Sequence, residues 1–296
     1  MVRRRTRWRW AAGGGLVGLA HRLEGRYASY IPLECPPSAT SRPRWGHGRA
    51  SHPRLDSYLA GHVDDYRRSI AAVAESVPDL LRIPRSSGEP GVPQWDQGFL
   101  PVFDAAVLYG LVRSTRPRQY LEVGSGNSTL FVARARRDGQ LATKIVSVDP
   151  APRADVDHLC DHLIRRPLES TDLAQFSALE AGDMLFVDDS HRVFMNSDVV
   201  TFFLDALALI GPGVLVGIHD IFLPDDYPLD WAGYFLSEQY LLAAYILGGA
   251  ARIKPVLASW YCSNRPELRQ PLDGLLTARE IQGLETRGWS FWFVTG

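Results

Sequence analysis

Tyr120-Leu-Glu-Val-Gly-Ser-Gly-Asn-Ser-Thr129 is the stretch on which the fold turns. A short apolar run, Tyr120 to Val123, ends in Gly124-Ser125-Gly126, and Asn127-Ser128-Thr129 opens a helical segment that runs to Arg137. Glycines directly after a strand let the backbone turn tightly and let a ligand approach without meeting a Cβ, while the free N–H groups of the helix start face the same crevice. A dinucleotide fingerprint needs a third glycine where Thr129 stands. A threonine there obstructs close helix–strand packing or the approach of a pyrophosphate, which argues against an NAD(P)-dependent oxidoreductase and for a ribose-bearing ligand without pyrophosphate.

Working outward, the same pattern recurs. Ile145 to Val148 is an apolar, β-branched run ending at Asp149; Met184 to Val187 ends at Asp188-Asp189-Ser190-His191; Val214 to Ile218 ends at His219-Asp220. Val199 to Ile210 reads as a helix capped by Asn196 or Ser197 and stopped by Gly211-Pro212-Gly213. Upstream, apolar residues at Leu55, Tyr58, Leu59, Val63, Tyr66, Ile70, Val73 and Val77 predict one or two amphipathic helices within Leu55–Leu81. Pro84 to Pro93 reads as a loop and Pro101 to Val112 as a further helix. Downstream, Tyr234 to Leu247 predicts a helix, and Pro255 to Trp260 and Trp289 to Val294 two more strands. No internal repeat is visible. Strands alternating with helices predict an α/β fold with a mostly parallel sheet covered on both faces, and in such a sheet ligands bind outside the carboxyl ends of the strands. That is where the polar residues collect.

Each of these residues carries two readings. Asp149 accepts ribose hydroxyls or caps a helix before Pro150. Asp188 and Asp189 are functional acids or a solvated loop pair. His191 is a general base for a substrate hydroxyl, its ordinary pKa lying near neutrality, or a structural histidine. The His219-Asp220 pair is costly after an apolar strand unless it meets a ligand, a metal or a partner. Phe222 to Trp231 is an acidic, aromatic, proline-fixed loop, either a substrate lid or an ordinary surface loop. Trp231, Tyr234 and Trp289 to Phe293 read as core.

Four ordered motifs, Tyr120–Thr129, Val146-Ser-Val-Asp-Pro150, Asp183-Met-Leu-Phe-Val-Asp-Asp-Ser-His191 and Gly213-Val-Leu-Val-Gly-Ile-His-Asp-Ile-Phe222, resemble those of class I S-adenosylmethionine-dependent methyltransferases. Within that superfamily the chain is similar to a bacterial methyltransferase-domain group of unassigned substrate, over roughly Pro101 to Leu247. The resemblance implies a Rossmann-like doubly wound sheet, seven-stranded and mostly parallel. It implies S-adenosylmethionine as cofactor, with Glu122, Gly124, Ser125, Gly126 and Asn127 shaping the methionine side, Asp149 at the ribose, Leu168 or Glu169 bordering the adenine after a short strand near Ile164, and Asp188 beside the cofactor. Members of the catechol type bind a divalent cation with an acid at the fourth strand end and an acid–amide pair at the fifth, positions that match Asp188 and His219-Asp220 here. Histidine in place of an acid suits a transition metal better than a hard-oxygen cation. His191, His219 and Asp220 are then the candidate catalytic residues.

The formal charge of −1 is a sum of unlike parts. Up to Arg54 eleven Arg face only Glu24 and Glu34, a surplus of nine positive charges, and the remainder carries a surplus of ten negative charges. Three regions follow: a basic, disordered tail over 1–54, a helical N-terminal extension over 55–100, and a methyltransferase domain over 101–296. Arg3 to Trp10 followed by Ala11–Ala20 has the order of a signal peptide, but four of those ten residues are glycine, and the runs Val199–Ile210 and Val214–Ile218 fall well short of the about 20 residues of a membrane span. Three scattered cysteines, Cys35, Cys160 and Cys262, suggest neither a disulfide framework nor a zinc site and fit a reducing, cytoplasmic setting. Membrane-surface association through the Arg/Trp tail is the alternative. The acidic body argues against a nucleic-acid substrate. The expectation is methyl transfer from S-adenosylmethionine to a hydroxyl of a small molecule. The alternatives are saccharide or antibiotic-tailoring O-methylation on the same fold, and a non-catalytic cofactor-binding or scaffold protein.

Overall fold

The computed structural model describes residues 42–250 and 252–296. The Arg/Trp segment, the glycine-rich stretch after it and Cys35 lie outside the described residues. Two helices come first, α1 (Pro53–Ala60) and α2 (Val63–Ala74), then a short turn Val77–Leu80, an irregular segment and the long helix α3 (Val102–Thr115). The chain then alternates through β1 (Gln119–Val123), α4 (Asn127–Asp138), β2 (Lys144–Val148), β3 (His162–Ile164) and β4 (Met184–Val187). Helix α5 starts at Asp198–Thr201 and passes through a π-helical segment, Phe202–Ala206, into Leu207–Leu209. After β5 (Leu215–Ile218) come α6 (Glu238–Leu247), β6 (Ile253–Ala258), a cluster of short helical turns from Ser259 to Ile281, and β7 (Phe291–Thr295).

The seven strands pair in the order β3-β2-β1-β4-β5-β7-β6. All neighbours through β5 are parallel; β7 is antiparallel to both β5 and β6. Residues 120–123, 145–148, 184–187 and 215–218 are buried throughout, as strands covered on both faces must be. Phe186 and Trp292 stack at 5.4 Å on one face of the sheet.

Helix α3 is apolar all round, with every residue from Val102 to Val112 buried, because it lies between the sheet and the N-terminal helices. At Gly110 a Cβ would come 2.8 Å from the Cα of Val73, so α2 and α3 cross with their backbones nearly touching. Leu55, Leu59, Tyr66, Ile70 and Val73 join the same core as the sheet, and the Ser69 hydroxyl donates to the Val256 carbonyl at 2.8 Å. Residues 55–100, expected as an extension, are thus a covering layer of one unit that begins at Arg42.

Residues 42–54, expected to be disordered, are held in place by the loop after β5. Asp226 accepts from the N–H groups of Arg44 and Trp45, at 2.5 and 3.1 Å, and the His52 N–H donates to the Pro224 carbonyl at 3.0 Å. Composition concealed this because the partners, the Asp226 carboxylate and the Pro224 carbonyl, lie about 170 or more residues away. Two further expectations shift. Trp260 stands in the turn Ser259–Ser263 beyond the end of β6, and Tyr234 closes a 3₁₀ segment, Leu229–Tyr234, before α6. Ser197 caps α5, its side chain accepting from the Val200 N–H at 3.2 Å. No described helix is long and apolar enough to cross a membrane. Cys160 and Cys262 are free thiols.

Candidate functional site

The strand order reverses between β1 and β4, so their carboxyl ends open a crevice at that switch point. Gly124 leaves β1 with φ +81°, and a Cβ there would lie 1.8 Å from the Asp188 carbonyl oxygen. Only glycine lets the two loops meet this closely. At Gly126 no atom of the described chain comes within 4 Å of a would-be Cβ, so glycine here leaves room beside the helix start instead of answering the packing of the chain. Thr129 explains the missing third glycine. Its buried hydroxyl accepts the Gly126 N–H at 3.1 Å and donates to Glu122, which takes from this helix start an N–H that a pyrophosphate would need. Glu122 is itself sealed from solvent, with the Tyr120 hydroxyl donating to it at 2.9 Å, and burial pushes its pKa up to about 7. It holds the loop from behind.

Asp149 bridges the ends of β1 and β2. One carboxylate oxygen accepts the Ser125 N–H at 2.7 Å and the other the Ala151 N–H at 2.7 Å, each retaining free lone pairs. Ser125 and Ser147 share a hydroxyl hydrogen bond of 2.5 Å, and Arg165 donates to Ser147 at 3.0 Å and to the Asp149 carbonyl at 3.1 Å. Asn127 is half-buried at the first turn of α4. Leu168, after β3, is buried in the core, and Glu169 beside it is exposed.

At the ends of β4 and β5 the chain assembles a charged cluster. His191 Nδ1 lies 2.8 Å from Glu238, and its Nε2 lies 3.2 Å from both Asp188 and Asp220. His219 Nδ1 lies 3.3 Å from Asp220 and 3.5 Å from Asp188; its Nε2 points inward, 3.6 Å from Asp104. His191 and Asp220 both have left-handed backbones, φ 56° and 55°, a conformation uncommon outside glycine that recurs where loops present chemistry. The acids and imidazoles whose ligand atoms converge within 4.8 Å are Asp188, His191 and Asp220. This corrects the expected metal set, in which His219 stood with the two acids. His219 is only 2% exposed, its Nδ1 turned toward Asp188 and Asp220 and its Nε2 toward Asp104, whereas the Asp188 side chain is 31% exposed. A second convergent group is Asp189, His191 and Glu238.

Five carboxylates, Asp104, Asp188, Asp189, Asp220 and Glu238, surround two imidazoles. Burial works against an imidazolium, yet Asp220, Asp188 and Glu238 outweigh it at His191, as Asp220 and Asp188 do at His219, and both pKa values rise well above the ordinary one. Burial would raise the Asp188 carboxyl, but the two imidazoles hold it below the usual range. Asp189 is pushed up by burial and by Glu238, and Glu238 by burial despite its bond to His191. One oxygen of each of these two buried acids has no partner among the described residues.

Sequence reasoning missed Glu238 and Asp104. Glu238 starts α6, 47 residues beyond His191, and no local pattern joins them. Asp104 did carry a signal: it is the lone acid in an apolar helix, and it accepts from the N–H groups of Trp289 and Ser290 at 2.5 and 3.1 Å. Beside the cluster Phe222, Tyr227 and Trp260 form a small second core, against which Trp231, Leu236 and Trp289 pack half-buried. Trp289 lies 6.2 Å from His219 and 5.0 Å from Trp231. The Phe222–Trp231 loop, Trp231 and Trp289 therefore border the crevice, while Phe291, Trp292 and Phe293 are core as expected.

A family model described as "Methyltransferase domain" matches residues 121–221, which span the glycine loop and both strand-end clusters. No curated protein matches significantly. Among solved structures, a Podospora anserina methyltransferase with bound SAH is similar at 20% identity, over 68% of this chain and 91% of that one, with a TM-score of 0.37. An O-methyltransferase from Bacillus cereus in complex with SAH is similar at 18% identity, over 75% and 90%, with a TM-score of 0.33. The MycE methyltransferase of the mycinamycin pathway, with Mg, SAH and mycinamycin VI, is similar at 17% identity, over 76% and 54%, with a TM-score of 0.40. Residues 121–221 thus match a methyltransferase-domain family model, and they lie on a seven-stranded sheet of order 3-2-1-4-5-7-6.

Proposed function

We propose that the protein transfers a methyl group from S-adenosylmethionine to a hydroxyl of a small molecule, with His191 accepting the hydroxyl proton. The observation that carries this is His191 itself. One ring nitrogen is fixed by Glu238 at 2.8 Å, and the other stands between Asp188 and Asp220 at the mouth of the crevice, one loop away from Gly124–Gly126. The cofactor supplies an activated methyl on a sulfonium; the residues here bind, orient, exclude water and hold a proton. The room beside Gly126 and the unspent lone pairs of Asp149 fit a nucleoside lacking pyrophosphate. Asp188, ionised between the two imidazoles, keeps a negative charge beside the glycine loop, which favours a cationic donor over a neutral one. His191 accepts at Nε2 in its neutral form, with Glu238 at Nδ1 favouring the tautomer whose Nε2, between Asp188 and Asp220, carries no proton.

A second reading places a divalent cation at Asp188, His191 and Asp220, favoured by their convergence and by the excess of acids over imidazoles. The cation would then lower the acceptor's pKa in place of the imidazole base. Calorimetry with S-adenosylhomocysteine tests the shared reading, since a folded protein that does not bind it is not a methyltransferase of this kind. Chelator separates the two: activity that survives it belongs to His191, and activity that returns only with added metal belongs to the ion.

A further inference from the structure

Large exposed hydrophobic side chains are scattered singly over most of the described surface, which is ordinary. At the crevice they are not scattered. Val193, Phe194 and Met195 follow His191 directly, Met195 being 97% exposed, and Leu229, Tyr234 and Phe235 lie on the loop after β5, each more than half exposed. β4 and β5 are neighbours, so these loops leave the same edge of the sheet side by side. They are also bonded together. Arg192 donates to the Tyr234 carbonyl at 2.9 Å, the Val193 N–H donates to Ser237 at 2.8 Å, and the Ser237 N–H donates to the His191 carbonyl at 2.8 Å. The apolar tips are thus held in fixed relation to the backbone of His191. Between them and the cluster stand the half-buried Trp231 and Trp289.

We infer that the methyl acceptor is amphipathic: a polar accepting group on an apolar body too large to be enclosed, the group reaching His191 while the body rests on these two loop tips. The inference builds on the methyl-transfer reading and adds the acceptor's class. Two apolar loop tips held side by side next to a charged cluster are costly in water unless a ligand covers them. A saccharide would need a rim of hydrogen-bonding side chains, and of the six named only Tyr234 carries one.

The test uses three probes titrated into the full chain saturated with S-adenosylhomocysteine and followed by tryptophan fluorescence and saturation-transfer NMR: 4-hexylphenol, phenol and methyl β-glucoside. Expected is binding of 4-hexylphenol at least about tenfold tighter than phenol, from burial of part of the alkyl chain, with no binding of the glucoside. The surface double variant Met195→Ser/Phe235→Ser should erase the gap between the two phenols and leave S-adenosylhomocysteine affinity unchanged. No advantage for the hexyl chain, a preference for the glucoside, or a double variant that binds 4-hexylphenol as well as the parent would overturn the inference. So would rim-dependent binding to phosphatidylglycerol vesicles without selection among the probes, which would make the rim a lipid-docking surface. Failure to bind S-adenosylhomocysteine is a separate result and counts against the methyl-transfer reading instead.

Discussion

The two halves of the crevice are built on different physics. On the β1–β2 side the loop is tied by short-range hydrogen bonds: Asp149 to the N–H groups of Ser125 and Ala151, Ser125 to Ser147, Gly126 to Thr129. On the β4–β5 side five acids crowd two imidazoles, and buried oxygens of Asp189 and Glu238 have no partner among the described residues. A preorganised, satisfied half suits recognition of one invariant ligand, and an electrostatically loaded half suits moving a proton or holding a cation. The comparison can be broken from either side.

Gly124→Ala carries the largest expected effect. Its methyl would fall 1.8 Å from the Asp188 carbonyl, on a backbone with φ +81°, so the two halves could not meet. Loss of S-adenosylhomocysteine binding by calorimetry is expected, with destabilisation of about 4 kcal/mol or more in urea. A variant that binds normally would show that the halves need not touch.

Next come the proton-handling residues. His191→Ala should lower kcat by roughly 10² to 10⁴ while leaving S-adenosylhomocysteine affinity within about threefold. Because its neighbours raise the His191 pKa well above the ordinary imidazole value, activity should climb with pH through a limb lying above that value. Glu238→Gln removes one stabilising carboxylate, so the limb should move to lower pH as kcat falls. A limb that stays in place while kcat falls would assign Glu238 a role in folding only.

How legible each half was follows from the same contrast. The glycine loop, Asp149 and the strand-end acids are local in sequence, because a strand–turn–helix unit writes its ligand contacts within thirty residues. The parallel sheet with helices on both faces followed from the alternation of such units. The charged half joins chain segments far apart. His191 was found at its strand end, but Glu238 reaches it from a helix 47 residues on and Asp104 meets His219 from a helix before β1. His219 was placed by its strand end; that its Nε2 turns toward Asp104 on α3 while Nδ1 faces the strand-end acids is visible only in the packing. The ordering of residues 42–54 was hidden for the same reason, their partners lying on the loop after β5.

Glu122 joins the halves to stability. Burial raises its pKa from 4.5 to about 7, so the folded state holds a proton there that the unfolded chain releases. Its contribution is fully present below about pH 4.5 and is lost as pH rises toward and through 7, on the order of 3 kcal/mol in all. Glu122→Gln cannot ionise. Relative to the parent, its midpoint in urea should therefore rise between pH 5 and 8; parallel pH profiles for the two proteins would mean that Glu122 is not protonated in the fold.

The smallest effect is expected at Asp149, and it separates the two roles its position allows. If the carboxylate merely ties the loops after β1 and β2, Asp149→Ala removes acceptors from the N–H groups of Ser125 and Ala151. The site is only half-buried, so water can replace them, and the loss of stability should stay near 1 kcal/mol. If its remaining lone pairs also receive ribose hydroxyls, S-adenosylhomocysteine affinity should drop about tenfold or more, because a hydrogen bond to a charged group contributes roughly 1.5–3 kcal/mol. Asp149→Asn sharpens the distinction. The amide oxygen can still accept one backbone N–H, so stability should recover in part, but the amide lacks the second acceptor oxygen and the charge, and affinity should remain low. Affinity and stability recovering together would reduce Asp149 to a loop tie and leave the satisfied half of the crevice without its ribose acceptor.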